Sequence, residues 1–363
     1  MKKNKNYVDL KDQPVPEGQH LLEVDDLKMY FHTEDGVVRA VDGVSYTLDR
    51  GETLGVVGES GSGKSVTAMT IMGLISMPPG KIEGGDVRYR GRSILEMTEE
   101  EMQHIRGNDI AMIFQDPMTS LNPVYKIGKQ VGEGLRLHRG YSKQEALKCA
   151  TELLDLVGIP EPEKRVNEYP HQFSGGMRQR VMIAMALACD PDILIADEPT
   201  TALDVTIQAQ IIELMQEMQE KNGNAIIMIT HDLGVVADMA DKIMVMYAGR
   251  PVEFGTADEI FYESRHPYTW GLIRSIPEQA IDEKKPLTPI HGNPPSLMNL
   301  PEGCVFSPRC PYATDKCRKQ RPERVVTESG HYSACHYSGD PEFLKNAPET
   351  SRTRKDSKKG GEA

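Results

Sequence analysis

The sequence lacks any long hydrophobic run. Nowhere in its 363 residues do about eighteen apolar residues follow one another, so we expect no membrane-spanning segment. The first twenty residues carry positive charge with no apolar run behind it, which is unlike a secretory signal. If the protein works at a membrane, other subunits must therefore cross the bilayer.

The sequence also has little positive charge. Lys and Arg number 42 against 54 Asp and Glu, and the formal net charge is −12. Because nucleic acid is bound chiefly through cationic side chains, we expect no nucleic-acid partner. Hydrophobic residues make up 39% of the chain, which is ample for a core, and the length allows one large domain or two to three smaller ones.

The strongest functional signal is a glycine-rich segment. Residues 58–65 read G-E-S-G-S-G-K-S, a phosphate-binding P-loop, between an apolar run at 54–57 and a helix-like stretch at 65–75. Glycines let backbone N–H groups converge on one anion, and the helix N-terminus adds its positive dipole. Lys64 is predicted to neutralise the β- and γ-phosphates, and Ser65 to bind Mg²⁺. The segment predicts a nucleoside triphosphate site.

Two acidic residues follow a second apolar strand, residues 192–196. In P-loop proteins a carboxylate on a strand beside the P-loop strand binds the metal, which is the role predicted for Asp197. Glu198 is then placed to polarise an attacking water as general base.

A third motif opens a helix at Ser174, which is a good N-cap, and is followed by Gly175 and Gly176. Two glycines allow close approach of an anion to the helix N-terminus. Taken alone, the motif indicates no more than a capped helix.

The pattern of apolar residues predicts the framework around these motifs. Alternation from Leu21 to Gly51 predicts antiparallel strands with a turn at Asp35-Gly36, and Ser142 with Glu145 predicts a helix start. Between residues 190 and 249, strand-like and helix-like runs alternate, which indicates a mostly parallel sheet.

Taken in chain order, the P-loop, Gln115, the Ser174 motif, Asp197-Glu198, Asp204 and His231 resemble the ATP-binding subunits of ABC transporters, over about residues 21–260. The resemblance implies an α/β P-loop NTPase fold: a parallel core sheet with helices, an antiparallel β-subdomain and a helical subdomain. One departure is Met177, where the family usually has Gln; Gln179 stands two residues further on.

The resemblance implies a role for each motif residue. Gln115 would contact Mg²⁺ and the attacking water, and His231 the γ-phosphate. Phe31 would stack on adenine, with Tyr30 as its near rival. Asp204 would line the seam between two subunits that pair head to tail. The full set implied to bind ATP and Mg²⁺ is Phe31, Gly58, Ser60, Gly61, Ser62, Gly63, Lys64, Ser65, Val66, Gln115, Ser174, Gly175, Gly176, Asp197 and Asp204. Head-to-tail pairing implies that the Ser174 motif serves the ATP on the partner.

Further segments narrow the resemblance to the oligopeptide and dipeptide importer branch. They are residues 112–123, 172–180, 200–206 and 266–269 together with the late cysteines, and the nearest likeness is to the D-type ATP-binding subunits of oligopeptide permeases. It implies a peripheral protein at the cytoplasmic face of the membrane, with a paralogous second ATPase, two transmembrane permeases and an external peptide-binding protein. Nickel importers of the same branch are the alternative. A soluble ABC ATPase acting on DNA or ribosomes fits less well, and Glu198 and His231 argue against a non-hydrolysing regulator.

Composition changes along the chain, together with what the resemblance implies, predict its domains. We expect a flexible lead-in over 1–20, an ATP-binding domain over 21–262 with a helical subdomain at about 100–188, a C-terminal domain over 263–340, and a disordered tail over 341–363. Ten prolines between residues 267 and 322 mark the C-terminal domain.

The C-terminal domain also holds four of the six cysteines: Cys304, Cys310, Cys317 and Cys335. Four thiols in a short segment of a chain without a predicted secretory signal favour metal binding over disulfides. No pair has the tight C-x-x-C spacing common in zinc sites, and the wide spacing together with the family resemblance favours a [4Fe-4S] cluster. Zinc and free or bridged thiols remain the alternatives.

Overall fold

The computed structural model describes residues 10–11, 13–116, 120–199, 205–276 and 289–348. Asp204 and most of the predicted tail lie outside the described residues. The backbone of the described residues forms two sheets with helices around them, the α/β architecture expected from the alternating sequence pattern.

The strands form a small antiparallel sheet and a larger mixed sheet. The small sheet has the order β2-β1-β4-β5, and the large one the order β11-β12-β10-β9-β3-β8-β7-β6. Strands β9, β3, β8, β7 and β6 run parallel to one another. The strands are β1 (Leu22–Thr33), β2 (Gly36–Leu48), β3 (Thr53–Val57), β4 (Gly80–Tyr89), β5 (Arg92–Ser93), β6 (Ile110–Ile113), β7 (Ile193–Asp197), β8 (Ala225–Ile229), β9 (Lys242–Tyr247), β10 (Arg250–Thr256), β11 (Val325–Val326) and β12 (Tyr332–Ser333).

Twelve α-helices are described between and after these strands. They are α1 (Lys64–Ile71), α2 (Glu99–Ile105), α3 (Ile127–His138), α4 (Lys143–Leu156), α5 (Pro162–Arg165), α6 (Gly175–Leu187), α7 (Val205–Asn222), α8 (Leu233–Met239), α9 (Ala257–Tyr262), α10 (Pro267–Arg274), α11 (Asp315–Lys319) and α12 (Pro341–Leu344).

Local chemistry sets several element ends as the sequence predicts. The hairpin of β1 and β2 closes with Thr33 opposite Gly36. At the start of α4, the Ser142 side chain accepts from the backbone N–H of Glu145, and the Glu145 carboxylate accepts from the Ser142 N–H. This reciprocal capping box satisfies two N–H groups that the helix itself leaves unpaired.

The parallel strands separate two hydrophobic cores. Ile193 and Ile195 of β7 face a core shared with α1 and the small sheet, whereas Leu194 and Ala196 face a core shared with α3, α4 and α6. Side chains alternate between the faces of a strand, so a continuous apolar run is buried on both sides. This explains why β7 contains no polar residue before Asp197.

The C-terminal residues pack directly on the rest of the protein. Strand β12 pairs with β10 and so extends the large sheet, and Phe306 lies in one core with Tyr247 of β9 and Tyr268 of α10. The domain boundary at 262 stays a prediction. Within the described ranges, none of the helices has the length and apolar character needed to cross a bilayer.

Candidate nucleotide site

Four of the predicted functional residues lie at one edge of the large sheet. Gly58 follows β3, Gln115 lies two residues after β6, Glu198 follows β7, and His231 lies two residues after β8. These strands are parallel, so their carboxyl ends meet, and ligands of open α/β sheets bind at this edge.

The P-loop is held close to neighbouring backbone. A Cβ at Gly58 would lie 2.2 Å from the carbonyl oxygen of Met246, and one at Gly63 would lie 2.3 Å from that of Ala40. Both residues have positive φ, 149° and 100°. Any side chain at either position would clash and strain the backbone, which explains why these two glycines are needed. Gly61 faces open space, and Ser60 is exposed.

Two P-loop side chains have the features of phosphate-binding groups. The buried hydroxyl of Ser62 has no hydrogen-bond partner in the described part of the chain. Lys64 is also buried, and its Nζ donates to the carbonyls of Gly58 (2.7 Å) and Glu59 (3.0 Å). Burial lowers the pKa of Lys64, while the Glu198 and Asp197 carboxylates oppose that shift. The ammonium group therefore lies close enough to the two acids to feel their charge. Val66, two residues further on, is partly buried against the core.

Ser65 and Asp197 meet as a metal-binding pair would. The Ser65 hydroxyl donates to Oδ1 of Asp197 at 3.0 Å. The expectation that Asp197 lies on the strand beside the P-loop strand is wrong, because β8 lies between β3 and β7, but the two side chains still meet at the shared edge. Burial raises the pKa of Asp197, and the Glu198 charge adds to the rise although the Ser65 hydrogen bond opposes it. A buried carboxylate of this kind gains from a cation, and the oxygen donors of Ser65 and Asp197 suit Mg²⁺.

Glu198 connects three strand ends. Its Oε2 accepts from Nε2 of Gln115 at 2.9 Å, and its Oε1 lies 3.5 Å from Nδ1 of His231. Glu198 has a φ of +48°, and its N–H donates to the carbonyl of Ile229. Strained backbone of this kind is concentrated at functional sites, where it fixes a side chain's direction. The sequence-predicted trio of Gln115, Glu198 and His231 is therefore assembled in space.

The helix α6 begins with the predicted signature motif. The Ser174 side chain caps the helix by accepting from the N–H of Met177 at 3.3 Å. Ser174 and Gly175 are exposed, and a Cβ on Gly175 would meet nothing within 4 Å. Gly176 is half-buried. This N-terminus thus faces outward and leaves room for another molecule.

Gln179 makes a hydrogen bond between two segments that the sequence motifs did not predict. This buried side chain donates through Nε2 to the carbonyl of Pro199 at 2.7 Å. It links α6 to the turn that directly follows Glu198. The sequence does show Gln179 two positions after Met177, where the family usually has Gln. Its bond to the Pro199 carbonyl, however, could be known only from the fold.

Tyr30 and Phe31 are neighbours on β1, at a position where its register with β2 shifts. The Tyr30 hydroxyl donates to Asp42 at 3.0 Å, and the Arg39 guanidinium lies over its ring. Phe31 is half-buried beside Val38 and Gly80. Tyr30 is thus engaged by its own chain, and adenine stacking on Phe31 stays a prediction.

The four late cysteines come together around one small cavity. All are free thiols, and Cys304, Cys310, Cys317 and Cys335 line a space of about 20 Å³ together with Tyr312 and Phe343. Burial raises the pKa of Cys310 to about 11 and that of Cys335 to about 12, and the neighbouring thiols add to both rises. The space holds about one water. Across the described ranges, no three His, Cys, Asp or Glu side chains are arranged to hold a metal ion.

Two histidines near the cysteines have other partners. From the sequence, His331 and His336 are candidate replacements for one cysteine ligand, and surface positions are the favoured interpretation of both. The structure instead buries His331 against the buried carboxylate of Glu253, with Nε2 3.0 Å from Oε1. The sequence showed neither strand β12 nor its pairing with β10, which places His331 inside. His336 bonds instead to the carbonyl of Gln320 at 2.9 Å.

Two segments of the chain match known protein families. Residues 41–201 match the ABC transporter family, and residues 252–317 match the oligopeptide/dipeptide transporter C-terminal region. The oligopeptide transport ATP-binding protein OppD of Bacillus subtilis is 58% identical over 86% of this chain and 87% of its own length. The dipeptide transport ATP-binding protein DppD of Escherichia coli is 52% identical over 88% and 97%.

Solved structures show the same fold. The dimeric ATP-binding cassette MJ0796 bound to ADP and Pi is 28% identical, with a TM-score of 0.60 over 65% of this chain and 98% of that one. CbiO1 from Clostridium perfringens is 29% identical, with a TM-score of 0.56 over 67% and 91%. The fold and site define an ABC-type ATPase. The chain belongs to the peptide-transport branch of the ABC transporter ATP-binding proteins.

Proposed function

We propose that this protein binds and hydrolyses ATP to power the import of oligopeptides or dipeptides by a membrane ABC transporter. The observation that supports ATP hydrolysis most directly is the convergence of Ser65 with Asp197 and of Gln115 and His231 with Glu198 at one sheet edge. Peptide as the transported solute rests on the relatives' names and on the match over residues 252–317.

Each residue of the site has a defined part in this proposal. Residues 58 and 60–66 bind the phosphates, with Lys64 offsetting their charge. Ser65, Gln115 and Asp197 bind Mg²⁺, which would draw charge from the terminal phosphate. Glu198 accepts a proton from the attacking water, Gln115 orients that water, and His231 contacts the γ-phosphate. Phe31 stacks on the adenine.

The second half of each ATP site comes from another subunit. The capped N-terminus of α6 at Ser174, Gly175 and Gly176 faces outward, so it binds the ATP held by a partner P-loop. Asp204 lies at the seam of the pair. The partner is a paralogous ATPase, and the relative MJ0796 has a dimeric solved structure.

The pair of ATPases works on the cytoplasmic face of the membrane. It binds two transmembrane permease subunits, and an external peptide-binding protein delivers the solute to them. Closure of the ATPases on ATP and their reopening after hydrolysis switch the permeases between two states.

The experiment that tests this function is reconstitution of the chain with its partner ATPase and permeases in proteoliposomes. We expect ATP hydrolysis to rise when a loaded peptide-binding protein is added. A rise with nickel and none with peptides would favour the alternative, a nickel importer of the same branch. Full activity without any permease would instead favour a soluble ATPase.

We propose further that the four late cysteines hold a [4Fe-4S] cluster. Four thiols that line one cavity are the ligand set that such clusters use, and zinc and free thiols stay the alternatives. Since the cavity holds about one water, the cysteines must move apart on loading.

Anaerobic purification tests the cluster. We expect about four irons per chain and a broad visible absorption, both lost in Cys335→Ser. One zinc per chain, or a colourless protein without metal, would contradict the cluster and leave the ATPase proposal intact.

A further inference from the structure

The P-loop residue Glu59 is held by residues far away in the sequence. Its N–H donates to the hydroxyl of Tyr268 at 2.8 Å. Its carboxylate accepts two hydrogen bonds from Arg309, at 2.5 Å and 2.9 Å. Tyr268 and Arg309 both belong to the segment after residue 262. The C-terminal part of the chain therefore contacts the P-loop directly through hydrogen bonds.

The same residue holds the P-loop lysine. The carbonyl of Glu59 accepts from Nζ of Lys64 at 3.0 Å and from the N–H of Ser62 at 3.2 Å. Glu59 thus stands between the C-terminal segment and two P-loop residues. A displacement of Glu59 would carry Lys64 and Ser62 with it.

Arg309 is a buried and well-anchored guanidinium. Its side chain is only 4% exposed, and it donates also to the carbonyls of Ile290 and His291 and to the hydroxyl of Tyr247. A planar guanidinium bound by two parallel hydrogen bonds fixes a carboxylate in direction as well as in charge. Arg309 therefore sets where Glu59 lies.

The position of Arg309 depends in turn on the cysteine segment. The N–H groups of Arg309 and Cys310 both donate to the carbonyl of Phe306 at 3.0 Å, and the N–H of Ser307 donates to that of Cys304. Arg309 thus belongs to the tight turn that carries Cys304 and Cys310. Any rearrangement of this turn would move the guanidinium.

The ion pair of Glu59 and Arg309 also affects the charge of the P-loop. Glu59 places a carboxylate in a loop that must receive a triphosphate, and it lies close enough to Lys64 to act on its charge. An ion pair with Arg309 cancels that negative charge. Without the arginine, the carboxylate would repel the phosphates and compete for Lys64.

We propose that Arg309 is a positioning residue for the nucleotide site, through which the cysteine-bearing segment controls P-loop geometry and ATP affinity. The proposal rests on the proposed function in one respect: the P-loop binds ATP. Tyr268 supports the same loop through the Glu59 N–H. The catalytic groups themselves are untouched by either residue.

The test is ATP affinity of the full-length chain with Mg²⁺, measured by titration calorimetry. We expect Arg309→Ala to weaken ATP binding at least tenfold, and Arg309→Lys to weaken it less, because lysine keeps the charge but loses the paired hydrogen bonds. The double variant Glu59→Gln with Arg309→Ala should bind ATP more tightly than Arg309→Ala alone, since the uncompensated carboxylate is gone. Tyr268→Phe, which removes one hydroxyl, should weaken binding about threefold.

The matched control is Arg318→Ala, which removes an exposed arginine paired with Asp315 in the same segment. It should leave ATP affinity unchanged. If Arg309 served stability alone, Arg309→Ala would lower the melting temperature without changing the ATP affinity of the folded protein. The ATP affinity of Arg309→Ala would then also be unchanged by adding Glu59→Gln. Either of those results would overturn the proposal. If the parental chain binds no ATP, both the proposed function and the role of Arg309 are refuted. If the parental chain binds ATP and all Arg309 variants bind it equally well, only the role of Arg309 is refuted.

Discussion

The P-loop and the signature motif are both helix N-termini of this chain, yet their surroundings are opposite. At α1, Lys64 is buried, and the helix start meets carboxylates from β7. At α6, Ser174 is exposed, and Gly175 opens on empty space. The first anion site is enclosed by its own chain, and the second is open to another molecule. One chain thus carries the proposed halves of two different nucleotide sites.

The two sites are nevertheless joined within the chain. Gln179 of α6 donates to the carbonyl of Pro199, next to Glu198. A movement of the signature helix would therefore reach the turn that positions the proposed general base. Variants that change one of the two helix N-termini and leave the other intact should separate their functions.

The largest effect is expected from Glu198→Gln at the enclosed end. The amide keeps the shape but cannot accept the proton, so we expect ATP hydrolysis to fall roughly a thousandfold while ATP binding is retained. Steady-state phosphate release and nucleotide titration measure the two quantities. Glu152→Gln, on the exposed face of α4, is the control. Hydrolysis at the parental rate would refute the assignment of Glu198 as base.

Next in size is Lys64→Ala. Loss of an ammonium bound to phosphate removes charge-assisted hydrogen bonds, so we expect ATP affinity to fall roughly a hundredfold. Titration calorimetry checks this, with the exposed Lys148→Ala as the matched lysine control. Unaltered affinity would contradict the proposed role of Lys64.

Gly175→Asp tests the open end. The site has room for a side chain, so the chain should fold and bind ATP as before, but a carboxylate there would repel the partner's phosphates. We expect the assembled transporter to lose at least tenfold in hydrolysis, with no change in the ATP affinity of the isolated chain. A loss of affinity in the isolated chain would show that the signature motif acts on its own P-loop.

The smallest effect concerns the stability of the nucleotide-free protein. Because the pKa of Asp197 is raised in the folded state, this group stabilises folding fully below the ordinary aspartate pKa, and that contribution is lost as the pH rises through the folded value. Asp197→Asn should remove this dependence of stability on pH and raise the melting temperature at neutral pH by a few degrees. The variant should also no longer be stabilised by Mg²⁺ with ATP. Thermal unfolding from pH 4 to 8 measures both. A lower melting temperature at pH 7 would contradict the prediction.

Elements whose signals are local could be predicted from the amino-acid sequence. The hairpin at Asp35-Gly36, the capping box at Ser142, and the P-loop between β3 and α1 each follow from neighbouring residues, because turn, cap and strand chemistry act over a few positions. The resemblance carried by the motifs then implied the ABC fold and roles at one ATP for Gln115 and His231 beside Glu198. The structure brings the three together because parallel strands place their carboxyl ends at one edge.

Contacts between segments that are distant in the sequence could be known only from the folded chain. Arg309 lies 250 positions from Glu59, and nothing in a proline-rich segment indicates that its arginine faces the P-loop. His331 could be placed inside the protein only when β12 was seen to pair with β10, and Gln179 acquired a partner only when α6 was packed beside the Glu198 turn. Hydrophobic periodicity gives each element a buried face, but it does not specify which polar groups meet, because those pairings depend on how the faces are packed.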